Sequence, residues 1–271
     1  MKYYSEEYVI GGLDQVGVTF DAVTFSKVSK AVDSIQQMSN EMDFIAVLEY
    51  NLQDFFCSTK IAGSDGRRNF TKLNCCFSNF LNSFYTWKWY HDCIWRDIFL
   101  GLLEQYRKKH IIYRLGERLR NYTTHKAFAI TGYRYDVINE IPYFIIDPNQ
   151  LLKWEDPKHK LNATLKNWLK EQVENETPIE AYTFATEFYQ LCREIQNELW
   201  TEQVQLIHDD LSAIFTILPS GFSNVYNVSI LSEDHTVHMG IGQIVAEFLQ
   251  KAACQYPKFI PDSYIGRFLL F

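Results

Sequence analysis

No uninterrupted apolar run in this chain reaches the length needed to cross a bilayer, and the opening residues MKYYSEEYVIGG carry acids where a secretory leader carries a basic and then an apolar run. The cysteines Cys57, Cys75, Cys76, Cys93, Cys192 and Cys254 never fall at C-x-x-C spacing, which argues against a thiolate metal site or a secreted disulfide framework and leaves them as small hydrophobes. Positive charge is short as well: 26 Lys and Arg face 33 Asp and Glu, and the resulting −7 argues against a general nucleic-acid binder, which needs a basic field. There is no Gly-rich Lys-Ser/Thr loop, no Gly-x-Ser-x-Gly elbow and no Cys-His nucleophile arrangement, and Gly240-Ile241-Gly242 lacks the third glycine of a dinucleotide site. Neither internal repeats nor low-complexity tracts occur. These absences lead to the expectation of a cytoplasmic protein without a membrane segment, metal or cofactor.

What is abundant is core-forming material, 47% hydrophobic and 16% aromatic, enough to bury a sizeable interior in 271 residues. Phe44, Val47, Leu48, Leu52 and Phe55 recur at helical spacing, and Gly63-Ser64-Asp65-Gly66 breaks that pattern. A second helix is expected from about Asn69 to Cys93, with Leu73, Phe77, Phe80, Leu81 and Phe84 on one face. A third begins near Arg96 and runs on to His125. Short β-branched and aromatic runs at Ala127–Tyr135 and Ile141–Asp147 predict a hairpin. Helical spacing returns at Leu161–Glu174 and again through Phe184, Phe188, Leu191, Ile195, Leu199 and Ile207. A strand is expected at Tyr226–Leu231 and a helix at about Gly242–Ala253. The chain is therefore expected to be mainly α, an antiparallel helical bundle forming a single domain over 1–271. Its core would lie at 21–126, the hairpin insertion at 127–147, and a helical extension at 160–271 would pack on the core.

Charge is unevenly spread. Arg107, Lys108, Lys109, Arg114, Arg118, Arg120 and Lys126 face only Glu117 within residues 107–126, whereas 171–210 are rich in acids. On one continuous helix, Arg107, His110, Arg114, Arg118, Asn121 and His125 recur every three or four residues and share a face opposite Phe99, Leu103, Tyr106, Leu115, Leu119 and Tyr122. One side packs and the other can meet phosphate. Arg107, His110, Arg114, Arg118 and Lys126 are thus candidate substrate-binding residues. At the end of this stretch stands Arg120-Asn121-Tyr122-Thr123-Thr124-His125, a non-titrating cation and a group able to exchange a proton near neutral pH. Five residues along an ideal helix turn Arg120 about 140° from His125, whereas seven bring Arg118 nearly into line. Either the helix ends or bends before His125, or Arg118 is its partner, or the partners come from two chains.

Leu119-Arg120-Asn121-Tyr122-Thr123-Thr124-His125, following a helix in a helical chain, resembles the Arg, four to six residues, His signature of the HEPN (higher eukaryotes and prokaryotes nucleotide-binding) superfamily. Within it, the closer likeness is to uncharacterised bacterial proteins with Leu-Arg-Asn-Tyr-x-x-His before a short β segment. The resemblance covers about residues 40 to 126 by pattern and is specific at the motif. It implies a helical bundle that forms a homodimer with two motif copies at the interface. The implied activity is metal-independent endoribonuclease action on single-stranded RNA, in a toxin or phage-defence setting with a protein inhibitor or antitoxin. Carried over, Arg120 would stabilise the transition-state phosphate, His125 would serve as general acid or base, and Asn121 would orient one of them. The alternative is a non-catalytic HEPN-like module that holds a nucleotide, an RNA or a protein, favoured by the acidic balance and the long C-terminal region. A third reading makes the motif structural, with Arg120 bridging to the acidic helix.

Other signals are weaker. His235 and His238 lack a third metal ligand, and His91-Asp92 and His208-Asp209-Asp210 lack the companions of a metal phosphohydrolase. The aromatic run Phe84-Tyr85-Trp87-Trp89-Tyr90-Trp95 can stack bases, but its helical setting favours packing.

Overall fold

The computed structural model describes residues 2–9, 12–14, 18–65, 70–136, 141–158, 160–217, 228–234, 236, 238–256, 258 and 260. In chain order its elements are β1 (Lys2–Val9), β2 (Gly12–Asp14), β3 (Thr19–Asp21), α1 (Ala22–Asp65), α2 (Phe70–Ile94), α3 (Arg96–Lys109), α4 (Ile111–His125), β4 (Ile130–Asp136), β5 (Ile141–Ile146), α5 (Pro148–Lys153), α6 (Ala163–Glu174), β6 (Ile179–Glu180), α7 (Ala181–Phe215), β7 (Val228–Ser232), β8 (His238–Gly240) and α8 (Gly242–Gln255). The fold is mainly α with small antiparallel sheets. No helix among the described residues is long and apolar enough to cross a membrane.

The chain forms two compact units, one from residues 1–43 with 200–271 and the other from 44–199. In the first, β1 pairs antiparallel with β7 on one side and with β2 and β3 on the other, and β8 continues from β7. Strands before residue 21 go beyond the sequence pattern. The reason is visible at Ser5, fully buried beside the equally inward Tyr3, with its hydroxyl donating to the Ile217 carbonyl at 2.8 Å. A polar inward residue erases the alternation by which a strand is recognised. Trp200 of α7 stacks on Tyr256 at 4.3 Å between ring centres and anchors α8 in this core.

The second unit carries the motif. The expected face of α2, Leu73, Phe77, Phe80, Leu81 and Phe84, is buried, as are Phe184, Phe188, Leu191, Ile195 and Leu199 of α7. Their rings interlock: Phe84 meets Phe188 edge-on at 4.6 Å and Tyr113 at 5.8 Å. The hairpin is present as β4–β5 with β6 added, and buried Asn74 of α2 ties it to the helices. Its amide donates to the Ile130 carbonyl at 2.9 Å and accepts from the Ile130 N–H at 3.0 Å.

Helix α4 passes so close to α7 that a Cβ on Gly116 would lie 2.2 Å from the Phe188 ring. Gly116→Ala is expected to destabilise the protein by about 1–2 kcal/mol, because overpacking against a confined ring outweighs alanine's better helix propensity. Urea denaturation checks this, and a melt equal to or above the parent's would show that the ring has room to move.

One expected element differs. The segment from Arg96 to His125 is two helices, α3 and α4, separated by His110 in extended conformation (φ −118°, ψ 111°). Arg107, Lys108 and Lys109 complement the negative end of α3, while β-branched Ile111 and Ile112 slightly lower helix propensity at the junction. The single stripe therefore becomes two faces meeting at a corner.

Candidate functional site

The corner opens a cleft of about 290 Å³ lined by Glu104 and Arg107 of α3, Arg114, Glu117, Arg118 and Asn121 of α4, and Lys160, Leu161, Asn162 and Leu165 at the start of α6. Asn162 is the N-cap of α6, its side chain accepting from the Thr164 N–H at 2.9 Å. The capping interaction holds the helix end at the cleft, where its partial positive charge adds to that of the side chains.

The cations of the cleft have different partners. Arg107 is engaged by Glu117, with Nε at 3.0 Å from Oε2 and a terminal nitrogen at 2.7 Å from Oε1; Lys88 Nζ also reaches Glu117 Oε1, at 2.6 Å. Burial works against ionisation of Glu117, yet Arg107 and Lys88 prevail and hold its carboxyl below the ordinary value. Arg118 is buried, its guanidinium 3.9 Å above the Trp154 ring, and it donates to the carbonyls of Leu151 (3.0 Å) and Trp154, capping the end of α5. Burial pulls its pKa down to about 10, opposed by Asp156, so it remains charged at neutral pH. Arg114 donates to the Arg107 carbonyl and the Asn162 side chain, bracing the corner. Among the described residues, Arg114 and Lys160 form no ion pair. Four cations thus face two carboxylates, both already engaged by basic side chains.

The motif residues divide between two sides of α4. The helix continues through His125, so Arg120 and His125 are about 140° apart around its axis. Arg120 turns toward α2, with its guanidinium 3.8 Å above the Tyr85 ring and a terminal nitrogen donating to Asn121 Oδ1 at 3.2 Å. His125 is exposed and follows Arg114, Arg118 and Asn121 along the other side, one turn beyond the cleft lining. Of the sequence candidates, the cleft gathers Arg107, Arg114, Arg118 and Asn121. His110 stacks on Tyr106 (5.3 Å) at the break, and exposed Lys126 is the C-cap of α4; neither lines the cleft. Lys160 and Asn162 escaped the sequence reading, though Asn162 ahead of a helical run is an N-cap signal.

His235 lies outside the described residues, and no group of three His, Cys, Asp or Glu able to hold a metal occurs among those described. Compared with protein-family models, with curated proteins and with solved structures, the chain shows no match.

Proposed function

We propose that this chain is a HEPN-like binding module that holds the phosphate backbone of single-stranded RNA in the α3–α4–α6 cleft. The observation that carries the reading is the convergence of Arg107, Arg114, Arg118 and Lys160 on one cleft in an otherwise acidic protein. Arg118 shapes the wall, while Arg114 and Lys160 offer charge without a carboxylate to compete for it. Among the described residues that line it there is no aromatic side chain, and the lining suits phosphate and sugar rather than a base. Fluorescence anisotropy with a labelled single-stranded RNA tests this. The double change Arg114→Ala with Lys160→Ala is expected to weaken binding about tenfold or more and to flatten its salt dependence. Unaltered affinity and salt slope would sink the reading.

A second reading, metal-independent endoribonuclease action, is favoured by the exposed position of His125 on the cleft side of α4. There His125 would take the 2′-hydroxyl proton as that oxygen bonds to phosphorus, closing a 2′,3′-cyclic phosphate while the P–O5′ bond breaks and the leaving oxygen takes a proton from water. Arg120 faces elsewhere, so the stabilising cation would be Arg114, Arg118 or an Arg of a second copy in a homodimer. RNA cleavage in chelator by the parent, lost in folded His125→Ala, would support it. Intact RNA after incubation with the parent would favour the non-catalytic module.

A further inference from the structure

Helix α2 sorts its aromatic run by face. Phe84 and Trp87 are buried, but Tyr85 and Trp89, one turn apart, remain 44% and 56% exposed. A tryptophan left this open has a large unburied face. The exposed line of α2 reads Asn82, Tyr85, Thr86, Trp89, with polar groups between the rings, and the Arg120 guanidinium lies over Tyr85 at its edge. Exposed aromatic rings, one of them with a guanidinium stacked over its face, complement bases strung on a polyanion. Position points the same way. Arg120 donates to Asn121, which itself lines the cleft, so the two surfaces are joined around α4, a cylinder about 10 Å across.

We propose that Tyr85, Trp89 and Arg120 form a base-stacking platform on which single-stranded RNA lays its bases after its phosphates leave the α3–α4–α6 cleft. The platform rests on the reading of that cleft as a phosphate site and extends it: the cleft grips backbone without regard to base, and the platform requires that bases be present. Arg120 then has a place in the fold that does not depend on meeting His125. Its stacked guanidinium fixes the Tyr85 ring and offers hydrogen bonds to base edges or a passing phosphate.

The test compares a labelled single-stranded RNA with a strand of the same length and backbone lacking bases. The parent is expected to bind the intact strand more tightly. The double change Tyr85→Ala with Trp89→Ala is expected to weaken intact RNA about tenfold while leaving the abasic strand unchanged, and Trp89→Phe should recover part of the loss. Loss on both strands alike, or on neither, overturns the platform. The Arg114→Ala, Lys160→Ala protein separates the two ideas. It should lose affinity for both strands, and if it loses affinity for neither while the parent still prefers bases, the cleft reading falls and the platform stands. A parent that binds neither strand overturns both. Sedimentation velocity of the same proteins covers the remaining occupant: a platform variant that turns a dimer into a monomer, with RNA affinity intact, assigns this face to a second copy of the chain and overturns the proposal.

Discussion

Exchanging Glu117 for glutamine is expected to lower stability by about 2 kcal/mol and, at the same time, to tighten phosphate binding in the cleft. The two effects run in opposite directions for one reason. Glu117 is the carboxylate on which Arg107 and Lys88 converge, three-quarters removed from solvent, and its loss leaves both cations facing each other across a neutral amide. The fold loses the charge assistance of three hydrogen bonds, while the cleft gains the charge that Glu117 had neutralised at Arg107. Urea melts with Glu117→Gln and with Glu117→Gln plus Lys88→Met measure the first effect, and the second substitution should recover part of the stability by removing the repulsion. RNA titration measures the second effect. Stability equal to the parent's would mean that the Arg107–Glu117 pair does not hold the fold, and unchanged or weaker RNA binding would mean that Glu117 does not offset the field in the cleft.

Acid should weaken the fold well before the carboxylates protonate. His91 is fully buried, its Nδ1 2.8 Å from the Trp87 carbonyl and its ring between those of Trp87 and Phe99, each with centres 5.0 Å away. Burial drives its pKa down to about 4 from the usual 6.5, only partly opposed by the Trp87 carbonyl and Gln196. Above pH 6.5 the ring is neutral in both folded and unfolded chains, and stability does not depend on it. Between 6.5 and 4 the unfolded chain takes up a proton that the folded one refuses, so stability falls by about 1.4 kcal/mol per pH unit, about 3 kcal/mol across the window. Glu117, held below its ordinary value, adds loss in the same direction at lower pH. The His91→Phe protein isolates the histidine, since it keeps an aromatic ring and cannot titrate. Its stability should stay flat from neutral pH to about 5, where the parent's declines. Parallel curves for the two proteins would refute the assignment.

Helices whose apolar side chains recur strictly, such as the α2 stripe from Leu73 to Phe84 or the α7 stripe from Phe184 to Leu199, were legible in the residues because one buried face demands one period. The hairpin was legible too, from its β-branched and aromatic runs. The break at His110 was not, because the apolar spacing on its two sides is compatible with a single helix and the local signals at Lys109–Ile112 are weak. The cleft was legible by half. Arg107, Arg114, Arg118 and Asn121 share a stripe that sequence spacing picks out, but the opposite wall comes from Lys160 and Asn162, some forty residues away. Spacing also cannot tell an arginine aimed at solvent from one spent on the last carbonyls of another helix, which is where Arg118 goes. Nor can composition sort Tyr85 and Trp89 from Phe84 and Trp87; only the rotation of a packed helix does.

The interleaving of the two units sets the order in which a ribosome can complete them. Residues 44–199 are contiguous and hold within themselves nearly all the partners of their core. Strand β1 is different: β2 and β3 follow it at once on one edge, but on the other Tyr4 pairs with Leu231 and Ser5 with Ile230, so that edge waits for more than two hundred residues of translation before β7 exists. At synthesis rates of about 5–20 residues per second that is a wait of tens of seconds with a strand edge uncovered, during which it is open to pairing with other chains. Slow or interrupted translation beyond residue 200 should therefore yield aggregates seeded by the earliest part of the chain.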